Sequence, residues 1–185
     1  MPKRLVFTTV ILTVVYLLTP NTSTAQPYGY EGVQVCATCH KTEKQGQQQK
    51  IWQESAHAKA FKALLTPEAE KIAKDKGLTV KASEAKECLV CHTSGCETDK
   101  KLIGAKFNME DGVQCETCHG AGSAYKSLKI MRSREESVKK GLVIWNDKAE
   151  MEAGCVKCHN PQSPTYKEFK FDEMWPKIAH PVPKG

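Results

Sequence analysis

Four short segments of this chain share one pattern, in which two cysteines are separated by two residues and a histidine follows immediately. The segments are Cys36–His40, Cys88–His92, Cys115–His119 and Cys155–His159. They account for eight of the nine cysteines and four of the six histidines. Any fold of this chain must therefore accommodate four groups of two thiols and one imidazole, each in a position to bind a cofactor or a metal ion.

Each segment is an attachment signature for c-type haem. Two thiols two residues apart can reach the two vinyl groups of one porphyrin, and the adjacent imidazole then falls beneath the iron as its proximal ligand. We therefore predict four covalent haems. The attachment residues are Cys36, Cys39, Cys88, Cys91, Cys115, Cys118, Cys155 and Cys158, and the proximal ligands are His40, His92, His119 and His159.

Zinc ribbons and disulfide scaffolds also use closely spaced cysteines. Zinc ribbons pair their Cys-x-x-Cys units but do not require a histidine after every one. Cysteines two residues apart also close loops too short to constrain much of the chain. The histidine that follows every pair therefore favours haem over both alternatives.

The first 25 residues have the features of a secretory signal peptide. Lys3 and Arg4 precede an apolar run from Leu5 to Leu18, and small residues lead up to Ala25. The run is short for a membrane-spanning helix, so we predict cleavage after Ala25. Cleavage of the 185-residue chain there leaves 160 residues, 26–185, which we predict to form a single tetrahaem domain. We expect it in the periplasm or otherwise exported, without membrane association.

The charge pattern argues against a nucleic-acid-binding protein. The formal net charge of +6 falls to +4 when Lys3 and Arg4 are removed with the signal. Only Arg132 and Arg134 then remain as arginines, and arginine is the residue that reads phosphates and bases bidentately. Ionised propionates on four ferric haems, about −1 per haem, would bring the net charge near zero.

Four haems on 160 residues leave about 40 residues for each, too few to enclose every cofactor separately. The haems must then pack against one another. We predict a mainly α fold with little regular secondary structure, in which short helices and loops wrap four closely packed haems as in multihaem cytochromes c. The motifs start at the unevenly spaced positions 36, 88, 115 and 155, which favours one interlocked cluster over a tandem array.

Local sequence signals predict several short helices. Thr66 and Pro67 provide an N-cap and a first-turn proline, with Gly77 as the stop. We also predict a helical pattern over 44–65 that Gly46 weakens, and a loop over 93–112. Towards the carboxyl end we predict a helix over 134–140 ended by Gly141 and a second helix from a cap at Asn146 to Ala153. One or two helical turns are predicted over 171–178.

Histidine supply limits how the irons can be ligated. Beyond the four proximal histidines only His57 and His180 remain, so at most two haems can have two histidine ligands. His57, Phe61 and Leu64 recur at helical spacing and are predicted to share one face. We predict His57 and His180 as distal ligands.

Methionine is a weaker ligand that could fill a remaining distal position. The mature chain offers Met109, Met131, Met151 and Met174. Met109, just ahead of the third motif, is the first candidate, although methionine is more often core filler. Tyr125 is close enough in sequence to the third motif to reach an iron, but a tyrosine packed at a haem edge is the simpler interpretation.

The order of motifs resembles the cytochrome c554 family of tetrahaem cytochromes over almost the whole mature chain. The matching segments are Cys36-x-x-Cys-His40, Trp52-x-x-Ser55-x-His57-Ala, Cys88-x-x-Cys-His92-Thr-x-Gly95, Gly112-Val-x-Cys115-Glu-x-Cys-His119-Gly-x-Gly-Ser123, Cys158-His159-Asn-x-x-Ser163-Pro-Thr and Trp175-x-x-Ile178-x-His180-Pro. The resemblance implies a mainly helical periplasmic electron carrier, and its founding type accepts electrons from hydroxylamine oxidoreductase. It also implies mostly bis-histidine haems with one five-coordinate haem, and distal roles for His57 and His180.

Three features depart from that family pattern. The family type needs three distal histidines, and this chain has two, so one further haem is open or differently ligated. A glutamine-rich insertion lengthens the interval between His40 and His57, so that the helix there is expected to start late. Cys96 lies outside every motif; as an odd cysteine in an exported protein it suggests a free thiol or a disulfide between two copies, and the alternative is a small buried loop residue.

The leading functional hypothesis is electron transfer between redox partner proteins, one of which could be a multihaem oxidoreductase. Lysines that dominate the basic residues would steer docking onto an acidic partner. A second hypothesis is a haem enzyme or sensor that binds nitric oxide, hydroxylamine or peroxide at an iron without a distal histidine. A third is a subunit of a larger complex in which chains exchange ligands. We assign no catalytic residue, because nothing in the spacing selects among Glu110, Asp111 and Tyr125 as a proton donor.

Overall fold

The computed structural model describes residues 28–182. The predicted signal peptide, 1–25, lies outside these residues. None of the helices between residues 28 and 182 combines the length and the apolar run that a bilayer crossing requires.

Short helices joined by loops make up the described chain. The α-helices are α1 (Val33–Ala37), α2 (Gln48–Glu54), α3 (Ala60–Ala63), α4 (Pro67–Asp75), α5 (Lys86–His92), α6 (Cys115–His119), α7 (Leu128–Met131), α8 (Arg134–Lys139), α9 (Lys148–Cys155) and α10 (Phe171–Met174). Single 3₁₀ turns span His57–Lys59, Lys100–Leu102, Met109–Asp111 and Trp175–Lys177.

The predicted fold class is confirmed. The longest helix in residues 28–182, α4, has nine residues, and the β-structure of that region is one isolated bridge between Tyr30 and Ile103. Helices this short are marginal by themselves, so contacts between segments must hold them in place.

The helix-end signals near α4 and α8 are confirmed. The Thr66 hydroxyl accepts a hydrogen bond from the Ala69 amide at 3.2 Å, and Pro67 opens α4. Gly77 ends that region with φ +73°, and Gly141 follows α8 with φ +97°. Both are backbone conformations that favour glycine. One α-helical turn, α10, and the 3₁₀ turn that follows it also match the prediction of one or two turns over 171–178.

Two sequence predictions differ in detail from the structure. The predicted helical region 44–65 is split, because Gly46 and Gln47 have positive φ and Ser55 is extended. Helix α2 therefore starts late, as the glutamine-rich insertion suggested. The predicted cap at Asn146 is wrong by one residue. The Asp147 carboxylate caps α9 through the Glu150 amide, and the helix runs on into the fourth motif.

Hydrophobic burial within the polypeptide is sparse. Ten hydrophobic residues between 28 and 182 are buried, and the main cluster among them is Leu64, Ala73 and Ala82. Val90 and Val156, which lie inside the second and fourth motifs, are instead 44% and 39% exposed. A protein of this size normally buries far more apolar surface, so the described polypeptide does not supply a conventional core.

Candidate haem-binding site

Local helical structure positions the two cysteines of each motif. Helices α5 and α6 contain the whole second and third motifs, and α1 and α9 contain the first cysteines of the other two. Residues three and four apart lie on one side of a helix. The turn therefore brings both thiols and the following histidine of a motif toward the same region, as attachment to one porphyrin requires.

The first and third motifs lie against each other. The Cys36 and Cys115 thiols are neighbours, and their interaction together with burial raises the pKa of Cys36. The third motif also contacts the segment that follows the second motif, where the Thr117 and Ser94 hydroxyls are 2.5 Å apart. Although 79 positions separate Cys36 from Cys115 in the sequence, the fold makes them neighbours.

The second and fourth motifs form a similar pair, and the third motif lies near it. The Cys91 and Cys158 thiols are neighbours, with Cys118 and Cys155 also near Cys158. Burial raises the pKa of Cys118 to about 11 and that of Cys158 to about 12. These thiols are neutral at pH 7, so they can approach one another without charge repulsion.

Four of the six histidine rings form two close pairs. His57 and His159 have ring centroids 6.0 Å apart with planes inclined by 55°. His119 and His180 have centroids 5.8 Å apart with planes inclined by 47°. Each pair joins one histidine of a Cys-x-x-Cys-His motif to one of the two remaining histidines.

The spacing within each pair matches two imidazoles on opposite sides of one metal ion. Metal–imidazole bonds of about 2 Å, with each ring centroid a further ~1 Å behind its nitrogen, place two such centroids roughly 6 Å apart. The donor set also fits haem, because each pair includes a histidine that directly follows two helix-borne thiols. The residues present therefore fit axially ligated c-type haem at the third and fourth motifs.

Burial keeps the candidate ligands in the neutral form that binds metals. It is the main cause that lowers the pKa of His40, His57, His119 and His159. Within the pairs, His159 further lowers the pKa of His57, and His180 that of His119. Neutral imidazole keeps a lone pair free for iron.

The His92 ring is oriented by a backbone carbonyl. Its Nδ1 lies 2.8 Å from the carbonyl oxygen of Ala60 in α3. In neutral imidazole this contact requires the proton on Nδ1, which leaves Nε2 as the metal-binding atom. An α3 backbone group thus sets the tautomer of a histidine from the second motif.

A buried carboxylate anchors the first motif to the third. Glu116, between the cysteines of the third motif, is 1% exposed. Its oxygens accept hydrogen bonds from the amides of Glu31 (2.9 and 3.0 Å), Gly32 (2.8 Å) and Gly122 (2.7 Å). Gln114 adds a further link, because its Oε1 accepts from the Val33 amide at 2.7 Å. These bonds fix the start of α1 beside α6.

The segment that carries His57 is held by residues just ahead of the third motif. The Val113 amide donates to the His57 carbonyl at 3.0 Å, and the Trp52 indole donates to the Val113 carbonyl at 2.8 Å. Gly112 packs so closely here that an added Cβ would lie 2.6 Å from the His57 carbonyl oxygen.

Replacement of Gly112 by alanine is expected to destabilise the protein strongly. Gly77→Ala is a control with a similar φ, +73° against +75°, but nothing lies within 4 Å of its added Cβ. Strain at positive φ costs about 1–2 kcal/mol in the left-handed helical region. It is larger at Gly112, where φ +75° is combined with ψ −140°, a conformation that is essentially confined to glycine. The collision should add roughly 1–3 kcal/mol at Gly112 alone. Denaturant unfolding of both variants measures the difference. Equal losses of unfolding free energy would show that the packing around His57 is not tight.

Other sequence candidates lie in different surroundings. The Tyr125 hydroxyl donates to the carbonyl oxygens of Gly120 (2.7 Å) and His119 (3.2 Å), which occupies its proton. Met109 is partly buried in a 3₁₀ turn, and Met174 is exposed. Cys96 is partly buried, and burial raises its pKa.

Two supporting residues were not identified from the sequence. Gln114 and Glu116 look like ordinary polar residues beside or within a motif, and only their burial reveals their role. The one signal for Glu116 in the sequence is its position between the two cysteines of a motif. A carboxylate that is buried there needs hydrogen-bond donors from other segments.

Comparison with known proteins gives two matches. The family model described as cytochrome c554 and c-prime matches residues 35–120, which include the first three motifs. Cytochrome c-554 of Nitrosomonas europaea is 29% identical over 187 aligned positions, which cover 86% of this chain and 77% of that protein. No solved structure matches significantly.

Proposed function

The chain belongs to the cytochrome c554 family, and from that premise we propose that it is a periplasmic tetrahaem electron carrier. The family makes it a c-type cytochrome in electron transfer with covalently bound haem, and it implies redox partner proteins. Covalent haem supplies a reversible one-electron iron couple. The number of haems, the ligand assignments and the location are our proposals.

The observation that carries this proposal is the pairing of histidine rings. We assign His57 as the distal ligand at the fourth motif and His180 as the distal ligand at the third. The ring separations of 6.0 and 5.8 Å support these assignments. His57 lies 102 positions before His159 in the sequence, so their approach reflects the tertiary fold and not local chain geometry.

The contacts between motifs support a continuous electron path. Cys36 meets Cys115, Cys91 meets Cys158, and Cys118 lies near Cys155. These contacts join the first motif to the third, the third to the fourth, and the fourth to the second. The four motifs thus lie in one connected cluster, which supports the proposal of an electron relay.

The histidine count leaves two motifs without a second histidine. All six histidines lie within the described residues, and the two ring pairs use four of them. His40 and His92 remain as single histidine ligands at the first and second motifs. Their sixth positions are therefore open or filled by a weaker ligand than histidine.

Haem content and carbon monoxide binding test this proposal. Intact mass of the purified, haem-loaded protein should equal residues 26–185 plus four haems, and a pyridine haemochrome assay should give the same number. The reduced protein should then show a carbon monoxide difference spectrum from two of the four haems, because this ligand binds irons without a strong distal ligand.

Other results would count against specific parts of the proposal. Fewer than four haems would remove the tetrahaem assignment. A response from three or four haems would contradict the His57 and His180 assignments. No response would mean that other groups fill both remaining positions, and it would leave a fully six-coordinate electron relay.

Small-ligand chemistry at the first or second motif is a second candidate function. Neither His40 nor His92 belongs to one of the two histidine ring pairs, and this favours ligand binding at those motifs. Tyr125 is a poor proton donor for such chemistry because its hydroxyl is bound to two carbonyls and its pKa is raised by burial. Catalytic turnover of hydroxylamine, nitric oxide or peroxide by the reduced protein would support this function, whereas binding without turnover would favour the carrier.

A further inference from the structure

The imidazole of the fourth motif lies in an aromatic stack. The ring centroids of His159 and Phe169 are 5.0 Å apart, and their planes are inclined by only 24°. A near-parallel pair at this separation is a favourable arrangement of two aromatic rings. The other ring that His159 meets among residues 28–182 is that of His57, at 6.0 Å. His159 therefore lies between its proposed partner ligand and a phenyl ring.

The stack takes the place of the contact that usually orients a metal-bound imidazole. That contact is a hydrogen bond from the ring nitrogen that does not bind the metal. His92 has one, to the Ala60 carbonyl oxygen. Within residues 28–182 no protein group forms such a bond with the His159 ring, and the face of that ring packs on Phe169 instead. Rotation of the imidazole about a bond to iron would press its edge into the phenyl ring, so the stack restricts that rotation.

The segment that carries Phe169 is fastened to the helix that leads into the fourth motif. Phe171, two positions further on, is 6% exposed. The Lys148 ammonium, at the start of α9, lies 5.4 Å from the centroid of the Phe171 ring and 2.7 Å from the Asp172 carboxylate. Helix α9 ends at Cys155. The chain after the motif thus folds back onto α9, and this return holds Phe169 against His159.

We propose that Phe169 is a positioning residue for the haem at the fourth motif, where its ring packs on the His159 imidazole and fixes the plane of that ligand relative to His57. The inference rests on the proposed function, since it takes His159 and His57 as the two axial ligands of one iron. The planes of these two rings are inclined by 55°. The angle between two axial imidazole planes controls the g values of a low-spin ferric haem. A ligand held by packing also moves less when the iron changes oxidation state, as an electron carrier requires.

Three variants of the haem-loaded, oxidised protein test the role of the ring. Phe169→Leu keeps an apolar side chain but removes the stack, and it should shift and broaden the g values of one low-spin haem in electron paramagnetic resonance. Phe169→Tyr keeps the ring and should retain the original signal. Phe107→Leu is the matched control, because Phe107 is also partly buried but packs edge-on against Tyr30, 6.0 Å away. It should leave every haem signal unchanged.

The affected signal is assigned with His57→Ala, which should convert that same low-spin component to high spin. Carbon monoxide should still bind two of the four haems in Phe169→Leu, since both histidines remain as ligands.

A shift confined to the assigned component, with recovery in Phe169→Tyr, supports the proposal. Unchanged g values in a less stable Phe169→Leu protein would show a purely structural role and would overturn it. So would a shift in another component, an equal shift in Phe107→Leu, or a third haem that binds carbon monoxide. A failure of the proposed function is distinguishable, because His57→Ala would then convert no low-spin component.

Discussion

Glu116→Ala is expected to lower the free energy of unfolding by about 3 kcal/mol, because it leaves two buried amides and one partly buried amide without their acceptor and each buried loss costs about 1–3 kcal/mol. The amides belong to Glu31, Gly32 and Gly122. The loss should also loosen the start of α1 from α6. Denaturant unfolding of the haem-loaded protein, followed by far-ultraviolet circular dichroism, measures it.

Glu135→Ala is the matched control. Its side chain is 78% exposed and forms a salt bridge with Lys139 on one face of α8. Exposed pairs of this kind contribute about 0.3–0.5 kcal/mol, so this variant should be close to the unmodified protein. Glu116→Gln should be intermediate, because it keeps one acceptor oxygen. If Glu116→Ala were no less stable than Glu135→Ala, the carboxylate would not anchor the first motif to the third.

Removal of either histidine that lies outside the four motifs is expected to add one haem that binds carbon monoxide. His57→Ala and His180→Ala should each raise the number of responsive haems from two to three, and the double variant should raise it to four. A low-spin haem should become high-spin in each case, because a strong axial ligand is lost. Carbon monoxide difference spectra and electron paramagnetic resonance count the affected irons.

The partner of each histidine is identified by combining these variants with motif variants. In a Cys155→Ser, Cys158→Ser protein, which lacks attachment at the fourth motif, His57→Ala should add no responsive haem, whereas His180→Ala should still add one. Lys59→Ala, an exposed change two positions from His57, is the surface control. The reverse dependence would exchange the two assignments, and an unchanged response in His57→Ala would remove His57 from the ligand set.

Local signals in the sequence predicted those features that neighbouring residues control. The Thr66 cap, the first-turn proline at Pro67 and the positive-φ glycine at Gly77 define α4, and all three act within a few positions of one another. The region around α2 was predicted less well. The split of the predicted helical region 44–65 depends on positive φ at Gln47, a residue without the conformational freedom of glycine, and on packing against Pro181, which is far away in the sequence.

The residues that hold the motifs together were hidden for a similar reason. Glu116 and Gln114 are common polar residues, and neither has a distinctive spacing. Their roles depend on backbone amides that reach them from segments as much as 85 positions away. Polar residues of this type are ordinarily exposed, so sequence alone gave no reason to expect them in the interior.

The sequence by itself predicted the attachment chemistry and its limits. Two cysteines and a histidine within five positions carry their own geometry, because one helical turn brings them together, and six histidines cannot provide two ligands for each of the four proposed haems. The tertiary structure alone decided which histidine meets which motif and which motifs touch. His57 reaches the fourth motif and His180 the third because long-range hydrogen bonds and packing, which no local pattern encodes, bring those segments together.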